Sequence, residues 1–228
     1  MSCPKVSIII LNWNTLEYLK KCVNSIQENT DNYELIIVDN GSKEDGTEDY
    51  ISSVADRYIF NETNLGFSKE NNQGAELAKG EFICFCNSDI EVGVGWLDEM
   101  LITFNRDKKC GAVGTLGNPT DGFVGKTRVG FHQFKGQLRF DTIVNNLMAF
   151  CLLMKRDLFN EIKWNEKFIL GGFEDNYLSN QIIKKEYNLW ISVKADVTHE
   201  HPGRSYEANG LDYNDLLEKN TRIFYEKI

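Results

Sequence analysis

Several short clusters carry the residue types that bind nucleotides, hold divalent cations or move protons. Asn12-Trp13-Asn14, Asp39-Asn40-Gly41-Ser42, Asn64-Leu65-Gly66 and Asn87-Ser88-Asp89 each follow an apolar run, and Glu174-Asp175 and His199-Glu200-His201-Pro202-Gly203-Arg204 lie further along. A carboxylate at a strand end, as at Asp89, suits Mn2+ or Mg2+, which take oxygen ligands. His199 and His201 sit together beside a Pro-Gly turn, where imidazole nitrogens can join such a carboxylate. Each cluster taken alone also has a plainer reading. Asn, Asp, Gly and Ser are the usual turn formers, Ser-Asp at a strand end is a helix cap, and an acidic pair such as Glu174-Asp175 complements a helix N-terminus.

Whether the clusters meet depends on the elements around them. Residues 6–11, 35–38, 58–60 and 82–86 read as short, β-branched, apolar strands. Between them, Leu19, Cys22, Val23 and Ile26, and later Leu97, Met100, Leu101 and Phe104, recur at helical spacing and give each segment one apolar face. This alternation predicts an α/β fold with a mostly parallel central sheet flanked by helices. In open sheets of that kind ligands bind beyond the carboxyl ends of the strands, and the first four clusters fall there. Residues 117–136, rich in glycine and polar side chains, are expected to form loops or a small hairpin. The apolar stretch 147–154, a turn region over 164–173, a helix near 175–185, a strand at 189–193 and a helical tail over 212–228 complete the pattern. We therefore expect one domain over 1–228, with residues 1–115 as a nucleotide-binding half and 116–228 as an acceptor-binding half.

Composition narrows the partners. With 228 residues, 42% hydrophobic and 26% charged, the chain can bury one substantial core. A net charge of −9 argues against nucleic acid, and means that a diphosphate ligand needs a local cation to neutralise it. No stretch approaches the roughly twenty apolar residues of a membrane span, and no secretory leader pattern precedes residue 6, so a cytoplasmic protein is expected. The six cysteines form no C-x-x-C pair and several lie in apolar runs, so reduced core thiols are expected rather than a zinc site. Neither G-x-G-x-x-G nor G-x-x-x-x-G-K-[ST] occurs, which disfavours dehydrogenase and P-loop readings.

The segments VSIIILNWN, IIVDNGS, NLGFSKENNQGAELAKGEFICFCNSD and GGFEDNYLS, in this order and spacing, resemble glycosyltransferase family 2, and most of all its rhamnosyltransferase-like branch. The resemblance implies the GT-A fold, the Rossmann-like architecture of nucleotide-diphospho-sugar transferases. It further implies an inverting, metal-dependent transferase that moves a hexosyl or deoxyhexosyl group from a UDP- or dTDP-sugar donor to a hydroxyl of a glycan or lipid-linked acceptor. On that resemblance Asp39 accepts from N3–H of the pyrimidine while Asn12 and Asn14 support the base. A carboxylate fits this role because it only accepts. Asn64, Gly66, Lys69 and Asn72 match the segment facing nucleotide and diphosphate. Asn87-Ser88-Asp89 stands where the family has D-x-D, with asparagine in the first position. Asp89 would hold Mn2+ or Mg2+, joined by His199 or His201, with Asn87 at the ribose or a metal-bound water and Ser88 among the nucleotide-sugar-binding residues. Asp175 corresponds to the general base that deprotonates the acceptor, and Arg204 and Tyr206 could reach the diphosphate. Two other readings stand beside it: a nucleotidyltransferase, and a catalytically silent nucleotide-sugar or glycan-binding module on the same fold.

Overall fold

The computed structural model describes residues 5–116, 140–168, 170–199 and 213–225. Its framework is an eight-stranded sheet in the order β3-β2-β1-β4-β8-β6-β9-β7. The strands are β1 (Val6–Asn12), β2 (Tyr33–Asp39), β3 (Arg57–Phe60), β4 (Phe82–Asn87), β6 (Cys110–Thr115), β7 (Thr142–Val144), β8 (Cys151–Lys155) and β9 (Asn188–Ser192). Pairs β1–β2, β2–β3, β1–β4 and β6–β9 are parallel, and β8 runs antiparallel between β4 and β6. A two-stranded ribbon of β5 (Ile90–Val92) and β10 (Val197–His199) stands apart from the main sheet. The helices are α1 (Leu16–Asn29), α2 (Thr47–Val54), α3 (Phe67–Leu77), α4 (Trp96–Asn105), α5 (Arg156–Ile162), α6 (Glu174–Lys184) and α7 (Tyr213–Tyr225). The strands expected at 6–11, 35–38, 58–60, 82–86 and 189–193 and the helices near 175–185 and in the tail are all present, with ends shifted by a few residues. The β5–β10 ribbon, three residues on each side, is too short to leave a periodic signal.

The central strands are apolar on both faces because both faces are covered. Val6, Ile8 and Ile10 of β1 enter one core with Leu19, Cys22, Val23 and Ile26 of α1 and Trp96 and Met100 of α4. Ile9 enters the other with Ala75 of α3, Phe85 of β4 and Phe159 of α5. Burying one such aliphatic side chain contributes about 1.5–3 kcal/mol, so the sheet is the rigid reference for everything mounted on its edge. α3 approaches β1 and β2 so closely that a Cβ on Gly74 would lie 2.6 Å from Ile9 Cγ2 and 3.3 Å from Val38 Cγ2. α1 begins without a cap from its own Thr15; Glu44 instead accepts from the Leu16 N–H at 2.9 Å. Cys86 and Cys151 are cross-strand partners on β4 and β8, and Cys84 is on the same face two residues away. Register alone brings these thiols together, with Met100 Sδ 3.8 Å from Cys151 Sγ, and all five described cysteines are free and buried. Among the described residues no helix is long and apolar enough to cross a membrane.

At the opposite end of the sheet from the strand-end clusters, Ser7 Oγ donates to Glu34 (2.5 Å), and the N–H groups of Gly80 and Lys79 donate to Ser7 Oγ (2.8 Å) and Glu34 (2.5 Å). This knot fixes where the chain enters β4. A Cβ on Gly80 would meet only backbone, 2.6 Å from Ser7 N and 2.8 Å from Phe82 O. Gly80→Ala is therefore expected to lower the unfolding free energy by about 2 kcal/mol, as overpacking against backbone does. The readout is a lower urea midpoint at unchanged slope, and an unchanged midpoint would mean that the turn can swing clear.

Candidate active site

The parallel strands β1, β2 and β4 end together, so register sets the first contacts: Asn12 lies beside Asp39, and Leu11 beside Asn87. Asp39 is 3% exposed, and burying a carboxyl group so fully requires donors. Asn12 Nδ2 and Ser42 Oγ both donate to Oδ1, each at 2.7 Å, and the Ser42 N–H donates to Oδ2 at 2.9 Å. One lone pair on Oδ2 remains for a further donor. Asn12, itself buried, accepts from Thr15 Oγ1 (3.0 Å), which is in turn 2.9 Å from Ser88 Oγ. A continuous chain of side chains thus runs from the end of β2 across β1 to the end of β4. Asn14 takes a left-handed conformation (φ 52°). Its N–H donates to Ser42 Oγ and its side chain accepts from Lys43 N–H, which joins the β1–α1 turn to the loop after Asp39.

The third cluster is mounted on α3. Asn64 Oδ1 accepts from Gly66 N–H and from Asn40 Nδ2, and Asn40 Oδ1 accepts from Leu65 N–H. Beneath it Glu70, 1% exposed, also accepts from Leu65 N–H at 2.8 Å. Desolvation pushes the Glu70 carboxyl up to about 8, against the pull of the Leu65 and Gly66 N–H groups. Glu70 was not anticipated as part of the site. Its only sequence signal is an acid one turn into a helix that follows Asn-Leu-Gly. The run Asn71-Asn72-Gln73, unusual inside a helix, is explained by the protein itself. Asn71 Nδ2 donates to Phe67 O; Asn72 donates to Trp164 O and Glu166 and accepts from Trp164 N–H; and Gln73 exchanges two hydrogen bonds with Asn61. Asn72 is thus committed to anchoring the loop after α5, which accounts for an asparagine there without a ligand. Lys69 is exposed on the same helix.

The fourth cluster meets the β5–β10 ribbon. Pairing of His199 with Ile90 brings the imidazole over Asp89, with His199 Nε2 3.2 Å from Asp89 Oδ1 and 3.4 Å from Asn87 Nδ2. His199 is 3% exposed and stacks on Phe150 with ring centroids 4.7 Å apart, while its Nδ1 is buried without a partner among the described residues. These groups fit a divalent ion. A carboxylate oxygen and an imidazole nitrogen are donors that Mn2+ accepts, and adjacent ligand atoms at bond lengths near 2.1 Å lie about 3 Å apart, close to the separation here. Of the two histidines weighed from sequence, only His199 can be placed. His201, Arg204 and Tyr206 lie outside the described residues, as does the loop region 117–136.

Glu174 and Asp175 open α6, beyond a turn of unusual backbone. Desolvation pushes Glu174 up to about 8, helped by the neighbouring Asp175 charge and opposed by hydrogen bonds from the Glu174 and Gly172 N–H groups; its Oε2 has no partner among the described residues. Asp175, only partly buried, is raised to about 6, again by desolvation, against hydrogen bonds from the N–H groups of Asn176, Asp175 and Ala149. Burial thus holds both carboxyls above the usual carboxylate range, and the Asp175 charge adds to the rise of Glu174. The segment donating to Asp175 also touches the metal-type pair, since Phe150 O accepts from Asn87 N–H at 2.9 Å and its ring lies on His199.

The sequence model described as Glycosyl transferase family 2 matches residues 7–163. The putative glycosyltransferase EpsH of Bacillus subtilis is 35% identical over 107 residues, which cover 45% of this chain and 31% of that relative. Among solved structures, the mannosyltransferase PcManGT from Pyrobaculum calidifontis, in complex with GDP-Man and Mn2+, superposes with a TM-score of 0.70 at 18% identity, over 91% of this chain and 60% of that one. TarS residues 1–349 from S. aureus in complex with UDP-GlcNAc give 0.67 at 19% identity, over 86% and 58%. The chain spans less than two thirds of each of these proteins. The superpositions identify the fold as GT-A, and with more than half of its residues matched by the family model, the chain belongs to glycosyl transferase family 2.

Proposed function

We propose that the protein is an inverting glycosyltransferase that moves a hexosyl or deoxyhexosyl group from a UDP- or dTDP-sugar to a hydroxyl of a glycan or lipid-linked acceptor, in a metal-assisted reaction. The observation that carries the reading is the pairing of Asp89 with His199, 3.2 Å apart, on the sheet edge where Asp39 keeps one free acceptor position. In this reading the free lone pair of Asp39 takes the N3–H of uracil or thymine, a donor that cytosine lacks. Asn12, Thr15 and Ser42 hold that carboxylate rigid. Asn64 and Gly66 line the donor through the backbone they fix, and Lys69 supplies a positive charge near the diphosphate. Asn87 and Ser88 meet the ribose side. Asp89 and His199 would hold Mn2+ or Mg2+, which supplies charge neutralisation for the departing nucleoside diphosphate. PcManGT was solved with Mn2+ and TarS with UDP-GlcNAc, which supports the choice of ion and of donor class. Outside the described residues, His201 is the alternative metal ligand and Arg204 a diphosphate contact on resemblance alone, and residues 117–136 are a loop region suited to acceptor recognition.

Asp175 is the acceptor's general base. A carboxylate is too weak to deprotonate a sugar alcohol outright, so it takes the proton as the new bond forms and the hydroxyl acidifies. A base raised to about 6 is better matched to that task than one near 4 and is still charged at neutral pH. With Glu174 protonated beside it, the site is spared a second negative charge facing the leaving group.

Three outcomes are expected. Asp175→Asn loses at least about 100-fold in transfer rate with UDP affinity unchanged by calorimetry, and near-normal transfer would remove Asp175 from the role. Because the folded-state pKa of Asp175 is raised to about 6, the base is charged above that value. The rate should fall about tenfold per pH unit below pH 6 and level off above it; a flat profile between pH 5 and 7 would argue against this base. Asp89→Ala and His199→Ala should each abolish the thermal stabilisation that UDP gives only with Mn2+, whereas equal stabilisation with chelator present would sink the metal assignment.

A further inference from the structure

The turn that presents Asp175 is built from left-handed backbone: Leu170 at φ 58°, Gly172 at φ 103° and Phe173 at φ 70°. For leucine and phenylalanine that conformation costs about 1–2 kcal/mol each, so the turn persists only if its surroundings hold it. The centre of the turn is a Gly-Gly peptide, the dipeptide with least resistance to rotation of its peptide plane. Both ends of that plane are held. Asn220 Nδ2 donates to Gly171 O at 2.8 Å, and the Gly172 N–H donates to the Glu174 carboxyl. Asn220 is fully buried on α7, far along the chain from the clusters that carry chemistry. Around it, Leu217 Cδ2 would lie 3.0 Å from a Cβ on Gly172, and the Phe224 ring is 5.4 Å from that of Phe173. The other side of the turn rests on the donor loop. Leu170 O accepts from Phe67 N–H at 3.1 Å, and a Cβ on Gly66 would lie 3.1 Å from Leu170 N.

We infer that Asn220 is a positioning residue for the acceptor's general base: by fixing the Gly171–Gly172 peptide it sets the direction in which α6 starts and hence where Asp175 points. The inference rests on the reading of Asp175 as that base. An apolar side chain of similar size would fill the same space but leave the Gly171 carbonyl buried without a donor, and the peptide plane would turn to find one. A rotation there changes ψ at Gly171 and φ at Gly172, two residues before the helix begins. Displacement of a base by a fraction of an ångström lowers a rate far more than it lowers stability. Donor binding is assigned mainly to the Asp39 and Asp89 clusters, and the Leu170 contact with the Gly66–Phe67 loop lies on the other side of the turn from Asn220, so donor binding is expected to change little.

The test uses the full chain and hydrolysis of a nucleotide sugar by water, followed as UDP or dTDP release with Mn2+ present. UDP-glucose, UDP-N-acetylglucosamine and dTDP-rhamnose are screened, and the one the unaltered protein hydrolyses fastest is used. Asn220→Ala removes the donor, and Asn220→Asp replaces it with an acceptor at constant size, so the pair separates hydrogen bonding from packing. Both are expected to lower kcat on the order of 10-fold with KM for the nucleotide sugar and Kd for UDP within twofold of the unaltered protein. Asp175→Asn is run alongside. If Asp175→Asn hydrolyses normally, the base reading is wrong and the positioning role falls with it. If Asp175→Asn is inactive while either Asn220 variant keeps full kcat, or if kcat and KM change together in both, Asp175 stands as the base and Asn220 is only a structural contact.

Discussion

A carboxyl group buried at the carboxyl edge of a parallel sheet is the constraint on which the rest of this site depends. Asp39 can be 3% exposed only because Asn12 and Ser42 donate to it, and each donor is tied to another loop. Ser42 also accepts from Asn14 N–H, which holds the β1–α1 turn; Asn12 also accepts from Thr15, which reaches Ser88. Satisfying one charge has therefore ordered three strand ends. A mobile loop would lose several charge-assisted hydrogen bonds at once, each worth more than an ordinary one, so these turns are stiffer than their Asn- and Ser-rich composition suggests.

The second constraint is electrostatic. A chain of net charge −9 places Asp39, Asp89, Glu70, Glu174 and Asp175 on the elements that build one site, and a diphosphate would add to that charge. Burial relieves part of the conflict: Glu70 and Glu174, both raised to about 8 by desolvation, are neutral at pH 7 and act through hydrogen bonds rather than charge. Each carries backbone N–H groups, Leu65 for Glu70 and Gly172 for Glu174. The remaining acids are the ones given partners in the proposed reaction: a base for Asp39, a cation for Asp89, an acceptor proton for Asp175.

Most of the fold was legible because strands buried on both faces must be almost wholly apolar, and β1, β2 and β4 are. Strand ends were legible for the same reason, since the apolar run stops where the polar cluster starts. What stayed hidden was whatever depends on residues distant in sequence. The nearness of His199 to Asp89 emerges only from the pairing of β10 with β5, two segments too short to show a period. Asn72 matched a donor-facing segment, yet its amide is spent on Trp164 and Glu166, some ninety positions away. Glu70 and Asn220 lie on amphipathic helices where nothing in the local pattern distinguishes an acid or an amide that satisfies buried backbone from one that faces water.

The start of α1 separates the transferase reading from the nucleotidyltransferase one. Folds that bind phosphate directly place it at a helix N-terminus after the first strand, where free N–H groups and the helix dipole receive the charge. Here that position is filled by the protein's own groups: Glu44 accepts from Leu16 N–H, and Ser42 from Asn14 N–H. A phosphate brought there would meet a carboxylate instead of open donors. In the proposed reaction the phosphate charge is met elsewhere on the edge, where Asp89 with His199 is a pair able to recruit a cation. The same observation weighs against a silent binding module. A module that merely held a nucleotide would need no half-buried Asp175 raised to about 6 beyond a strained turn, with the Ala149–Phe150 segment joining it to the metal-type pair. Strain of that kind clusters at functional sites, and in the proposed reaction the atom it serves is a carboxylate oxygen of Asp175.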